Sequence, residues 1–115
     1  MALFRFLLGF ALILMLVPGA SLASVTNGTI KGTTVDSDGL PIPGVSINIS
    51  SDSLMGGKSQ KTDAEGRFLF IELPPGTYSV LAESPGFASV KRPNLPVNVG
   101  RNSILTIEMP PEAEG

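Results

Sequence analysis

The chain has 115 residues, 43% apolar and 16% charged, with a net charge of -2 and a mean hydropathy of +0.30, which leaves room for one small domain. Histidine and cysteine are both absent, so zinc sites of the usual ligand types, cysteine nucleophiles, Ser-His triads and disulfide staples are excluded. The acidic balance offers nucleic acid no electrostatic attraction.

The N-terminus has the pattern of an export signal: one positive charge at Arg5, an apolar core from Phe6 to Val17, the breaker Pro18-Gly19 and the small-residue site Ser21-Leu22-Ala23. The core is shorter than the ~20 apolar residues of a bilayer span, so cleavage after Ala23 is expected rather than a membrane anchor. A lipid anchor of the bacterial type would need a cysteine there. The expected layout is a signal peptide over 1–23, a folded domain over 24–109 and an acidic tail over 110–115. Losing Arg5 leaves 7 basic against 10 acidic residues. The mature protein is then soluble, without a membrane span, and periplasmic or extracellular. With no disulfide, its stability must come from a core that a domain of this size only just supplies.

From Thr29 to Val35 apolar and polar residues alternate as in a strand. In "DSDGLPIPG", Asp36 is suited to cap its own turn, Gly39 to supply positive φ, and Pro41 and Pro43 to hold an extended edge. "VSINIS" follows, with Val45, Ile47 and Ile49 on one side and Ser46, Asn48 and Ser50 on the other, the pattern of a sheet with one wet face. The polar stretch Ser51 to Gly66, with Gly56-Gly57 inside it, is expected to be a long mobile loop and a place for variable function. In the strand Arg67 to Ile71, Phe68 and Phe70 point to the core, which forces Leu69 and Ile71 onto the opposite face. Beyond "LPPG" come a strand from Thr77 to Glu83, the turn "ESPG", weaker strands near Ala88 to Lys91 and Leu95 to Val99, the turn "VGRN", and a closing strand from Ser103 to Met109. In "PPEAEG" the prolines cannot donate to a ladder and the acids have nothing to bury, so the tail is expected to be disordered.

"IKGTTVDSDGLPIPGVSINI" (Ile30 to Ile49), "TDAEGRFLFIELPPGTYSVLAESPGF" (Thr62 to Phe87) and the closing "LTIEM" together resemble the carboxypeptidase regulatory-like domain family, from Ile30 to Met109. The resemblance implies an all-β, seven-stranded antiparallel Greek-key β-sandwich of the transthyretin-like type, found beside metallocarboxypeptidase catalytic domains and at the N-termini of bacterial outer-membrane transporters. One departure is Thr34, where relatives carry an apolar residue two after the strand glycine; the first strand is therefore expected to end early or bulge there. Tyr78 after "LPPG" resembles a tyrosine corner whose hydroxyl bonds back to the backbone a few residues upstream. Phe87 is expected to plug the core.

Three chemistries known from sandwiches and acidic loops fit these residues poorly. The self-made isopeptide bond of related Gram-positive surface domains needs an inward acid four residues after the tyrosine, and that slot holds Ala82, while Glu83 is out of phase and faces water. Asp36 with Asp38 and Asp63 with Glu65 look faintly like calcium loops, but calcium takes six to eight oxygens, and turn roles account better for them. Paired acids for glycoside hydrolysis would need a cleft that a short-looped sandwich hardly provides. Neither a catalytic residue nor a cofactor is expected. Asn27-Gly28-Thr29 and Asn48-Ile49-Ser50 match the glycosylation acceptor pattern, which matters only in a eukaryotic source.

The chain is thus expected to be an exported, non-catalytic module for protein interaction or scaffolding at the cell envelope. Leu69 and Ile71 are either covered by a neighbouring segment or form a contact patch, with Lys58 and Gln60 of the long loop as further contact candidates. Exposed sheet edges could accept a partner strand. The partner is an envelope or extracellular protein, or a polysaccharide if the module is instead starch-binding-like. An aromatic content of 6%, with no tryptophan, argues against strong sugar affinity, since sugar sites rest on exposed rings.

Overall fold

The computed structural model describes residues 26–113 and shows a two-layer β-sandwich. Seven strands follow one another, β1 (Gly28–Val35), β2 (Ser46–Ser51), β3 (Leu54–Lys61), β4 (Arg67–Leu73), β5 (Gly76–Glu83), β6 (Val90–Val97) and β7 (Asn102–Glu108), and no helix occurs among the described residues. They form a three-stranded sheet ordered β4-β1-β7 and a four-stranded sheet ordered β3-β2-β5-β6. The expected signal peptide lies outside the described residues.

The alternating side chains set which face of each strand is buried. Val45, Ile47 and Ile49 face Phe68, Phe70, Ile30 and Ile107 in one core, as the two-residue period requires. Gly32 is needed where the sheets close: a Cβ there would lie 2.6 Å from Cζ of Phe68, its cross-strand partner. Tyr78 is fully buried and its hydroxyl donates to the Pro74 carbonyl at 2.7 Å, which is the corner expected from the sequence. Burial pushes that hydroxyl above its ordinary pKa of 10.0, so it stays a donor.

Several expectations need correction. The stretch Ser51 to Gly66 is mostly strand β3, paired with β2 from Ser46↔Lys61 to Ile49↔Lys58 after a two-residue turn at Asp52-Ser53. It lacks alternation because it is an edge strand that buries almost nothing; only Leu54 packs against the core. The two weak strands near residue 90 are one continuous β6, at the edge where its Pro93 and Pro96 are tolerated. β1 and β7 run parallel, from Thr29↔Asn102 to Val35↔Glu108, while every other pair is antiparallel.

Thr34 neither ends β1 nor bulges it; the irregularity lies between Gly28 and Ile30. Its buried hydroxyl donates to the Ile42 carbonyl at 2.8 Å and to that of Gly66 at 3.2 Å. Thr62, also buried, donates to the same Ile42 carbonyl at 2.9 Å and accepts from the Val45 N–H at 2.9 Å. The two hydroxyls fasten the "LPIPGV" segment to both sheets and satisfy polar groups that burial would otherwise penalise. Pro43 stands in a turn with Gly44, φ 73°, rather than on an extended edge, whereas Pro41 bridges Val35.

The first residues of the tail are ordered. Ala88 N–H donates to the Pro110 carbonyl at 2.9 Å and Glu112 N–H to the Gly86 carbonyl at 3.0 Å. The prolines lose no bond by this, since Pro110 serves as an acceptor and Pro111 bridges Phe87. Phe87 itself is half-buried against the core.

Candidate functional site

Both acidic turns are used internally. One Asp36 carboxylate oxygen accepts from the N–H groups of Asp38 and Leu40, each at 2.9 Å. Asp63 repeats the device with Glu65 at 3.0 Å and Arg67 at 2.8 Å. Such bonds define Asp-led turns, and among the described residues no three metal-ligating side chains come together. Ala82 is fully buried in the slot where an isopeptide domain would need an acid, and Glu83 is exposed.

The outer face of β4-β1-β7 is different. Registered residues point to the same side of a sheet, so the row Leu69, Lys31, Ile104 crosses it, with Thr33, Arg67 and Thr106 in the next row. Leu69, Ile71 and Ile104 are 49%, 54% and 67% exposed, and no loop among the described residues covers them. Gln60, Lys61 and Asp63 rim the same surface, and together with the residues of the two rows they line a concavity of about 610 Å³, which Ile71 does not line. It has an apolar floor broken by the Lys31 stem, with Lys61 and Arg67 at its margin. A long lysine stem lies against apolar surface while its ammonium stays hydrated.

Of the four contact residues proposed from the sequence, Leu69 and Gln60 meet at the β4 edge, while Ile71 is exposed further along β4 and, like Lys58, stays out of the concavity. Gln60 holds structure together: its Oε1 accepts from the Leu69 N–H at 2.7 Å, tying β3 across to the free side of β4. Lys58 is exposed on β3 opposite Ile49 and does not line the concavity. The sequence reading missed Ile104 and Lys31. Parity against the buried Ile107 and Met109 already sends Ile104 outward, but only the parallel pairing of β1 with β7 places it in a row with Leu69.

The fold defines the class as a β-sandwich module. The chain belongs to the carboxypeptidase regulatory-like domain family, whose model matches residues 29–110. It is similar to the TonB-dependent transporter Oar of Myxococcus xanthus, 31% identical over 96 residues that make up 83% of this chain and 9% of the transporter. The chain therefore spans less than a tenth of that relative's length. The sandwich is shared with the Bacillus anthracis TIE protein, at a TM-score of 0.62 and 18% identity over 75% of this chain and 17% of the other. It is shared too with a minor pilin of Streptococcus agalactiae, at a TM-score of 0.58 and 15% identity over 80% and 48%. At these identities the structural likeness concerns the fold.

Proposed function

We propose that this is an exported, non-catalytic interaction module of the cell envelope that recognises a partner protein through the outer face of β4-β1-β7. The observation that carries the reading is the exposure of Leu69 and Ile104 on either side of Lys31, with Ile71 exposed further along β4 and the cations Lys61 and Arg67 beside them. Apolar side chains gathered on one wet face mark contact surfaces more than scattered ones do. Family membership and likeness to a transporter support an accessory role at the envelope, as does a sequence without histidine or cysteine. Among the described residues no helix is long and apolar enough to cross a membrane.

Carbohydrate recognition is less well supported. Phe68, Phe70 and Tyr78 are buried and Phe87 is half-buried, so the described residues offer no open aromatic platform for a pyranose. Cross-linking in the native envelope followed by capture tests the reading: a specific protein should be recovered with the wild type and lost with a Leu69→Ser, Ile71→Ser, Ile104→Ser variant. Undiminished capture by that variant removes this face from consideration. Retention on a polysaccharide panel instead would favour the sugar reading.

A further inference from the structure

Three of the four sheet edges are blunted. On β4, Asp63 Oδ1 takes the Arg67 N–H, the Arg67 carbonyl accepts from Asp63 N–H, and Gln60 takes the Leu69 N–H. On β3, Gly56 and Gly57 have φ of 77° and 64°, and Lys58 and Lys61 add charge. On β6, Pro93 and Pro96 remove donors and Asn94 turns the chain with φ 59°. Devices of these kinds keep a sheet edge from pairing with another chain. β7, with the sequence NSILTIE, has neither a proline nor a positive-φ residue, its one charged side chain, Glu108, stands at its end, and among the described residues no side chain takes its main-chain N–H groups.

The bonds that β7 makes to β1 show which of its main-chain groups are left over. Thr29 N–H donates to Arg101 at 3.1 Å and Met109 N–H to Val35 at 2.8 Å, and in a parallel ladder alternate residues face the partner strand. Ser103, Leu105 and Ile107 therefore bond to β1. The N–H and C=O groups of Asn102, Ile104, Thr106 and Glu108 point to the other edge, where no strand is paired among the described residues. Beneath the same corner Leu105, Leu95 and Val90 are only half-buried, where a three-stranded sheet faces a four-stranded one. The corner is short of one strand.

We propose that a second copy of this chain supplies it, its β7 adding antiparallel to this β7 with Leu105 opposite Leu105 on a two-fold axis. This register sets Ile104 against Thr106 of the second copy and Asn102 against its Glu108, and the reverse, so that the outward main-chain groups of each edge find partners. It brings the two Leu105 side chains together on the inner side, over the half-buried Leu95 and Val90. One unblunted edge per protomer makes the pairing close at two rather than run on. The seam rests on main-chain groups and on Leu105, so it stands or falls apart from the partner reading of the outer face.

The protein made from the full sequence is measured by light scattering after size exclusion, and twice the protomer mass is expected. Thr106→Pro, which removes an edge donor while leaving the bonds to β1, should give a monomer with an unchanged far-ultraviolet spectrum. In the proposed register the Leu105 Cα atoms lie ~4.5 Å apart, within the ~4.4–6.8 Å that a disulfide spans. Since the chain has no cysteine, Leu105→Cys should give a disulfide-linked dimer under mild oxidation, and Leu69→Cys at the opposite edge should not. A monomer at every concentration overturns the proposal. So does a dimer in which Leu69→Cys cross-links as readily as Leu105→Cys, and this pair decides the matter even if Thr106→Pro fails to fold.

Discussion

On the inner face of the β4-β1-β7 sheet, Ile30, Phe68, Phe70 and Ile107 are at most 5% exposed; on the outer face of the same strands, Leu69, Ile71 and Ile104 are about half exposed or more. The side chains are similar in kind and neighbours in sequence. What separates them is the second sheet, which covers one face only. Burial on the inner side removes apolar area from water at ~25 cal/mol per Å², whereas the outer side chains are left with that area still to bury. The inner face is thus where stability resides, and the outer face is where the proposed partner would gain binding energy without cost to the fold.

Substitutions on the two faces should therefore separate stability from recognition. The largest effect is expected from Phe70→Ala, which leaves a cavity between the sheets and should cost about 3–5 kcal/mol, read as a lowered denaturant midpoint at unchanged slope. Capture of the partner under native conditions should then fall only as the folded fraction falls. Thr62→Val comes next, at about 2 kcal/mol, because it strands the buried Val45 N–H that the hydroxyl now satisfies. Thr34→Val should cost less, about 1 kcal/mol, since Thr62 still serves the Ile42 carbonyl and the Thr34 N–H still reaches Gly66 at 2.8 Å. Equal costs for the two threonines would show that the polar clasp is not organised as described.

On the outer face, Leu69→Ser and Ile104→Ser should each change stability by no more than about 0.5 kcal/mol, while abolishing capture together with Ile71→Ser. A large loss of stability from either would mean that the outer face is part of the core after all. The smallest effect concerns Tyr78. Its hydroxyl is held above its ordinary pKa by burial, so the unfolded chain loses this proton first as pH rises. Stability should be unaffected by this group below pH 10.0 and decline above it, and Tyr78→Phe should remove that part of the alkaline decline, as followed by thermal melts across the range.

Much of the interior was legible because inside and outside alternate with a local period. The strands containing Ile47, Phe68 and Val80 could be placed, and Leu69 and Ile71 sent outward, without knowing what lay beside them. Turn chemistry was equally local: Asp36 and Gly39 close their turn through groups two to four residues apart. β3 was misjudged as a loop because an edge strand with polar residues on both faces has no period to show. Pro93 and Pro96 split β6 on paper, since the sequence does not say which strand sits at an edge. Gln60 looked like a free contact residue, yet its partner is the Leu69 N–H nine residues further on in another sheet.

The sequence by itself determined the class of fold, the composition of the core and the absence of imidazole and thiol chemistry, because side-chain type and two-residue alternation are properties of neighbours along the chain. Tertiary structure alone decided that β7 lies parallel to β1 with Thr29 beside Asn102, that Ile104 joins Leu69 across Lys31, and which sheet edge stays open. Those outcomes depend on pairing between residues about seventy positions apart, which is fixed by how two sheets share one core and leaves no mark on the sequence around either residue.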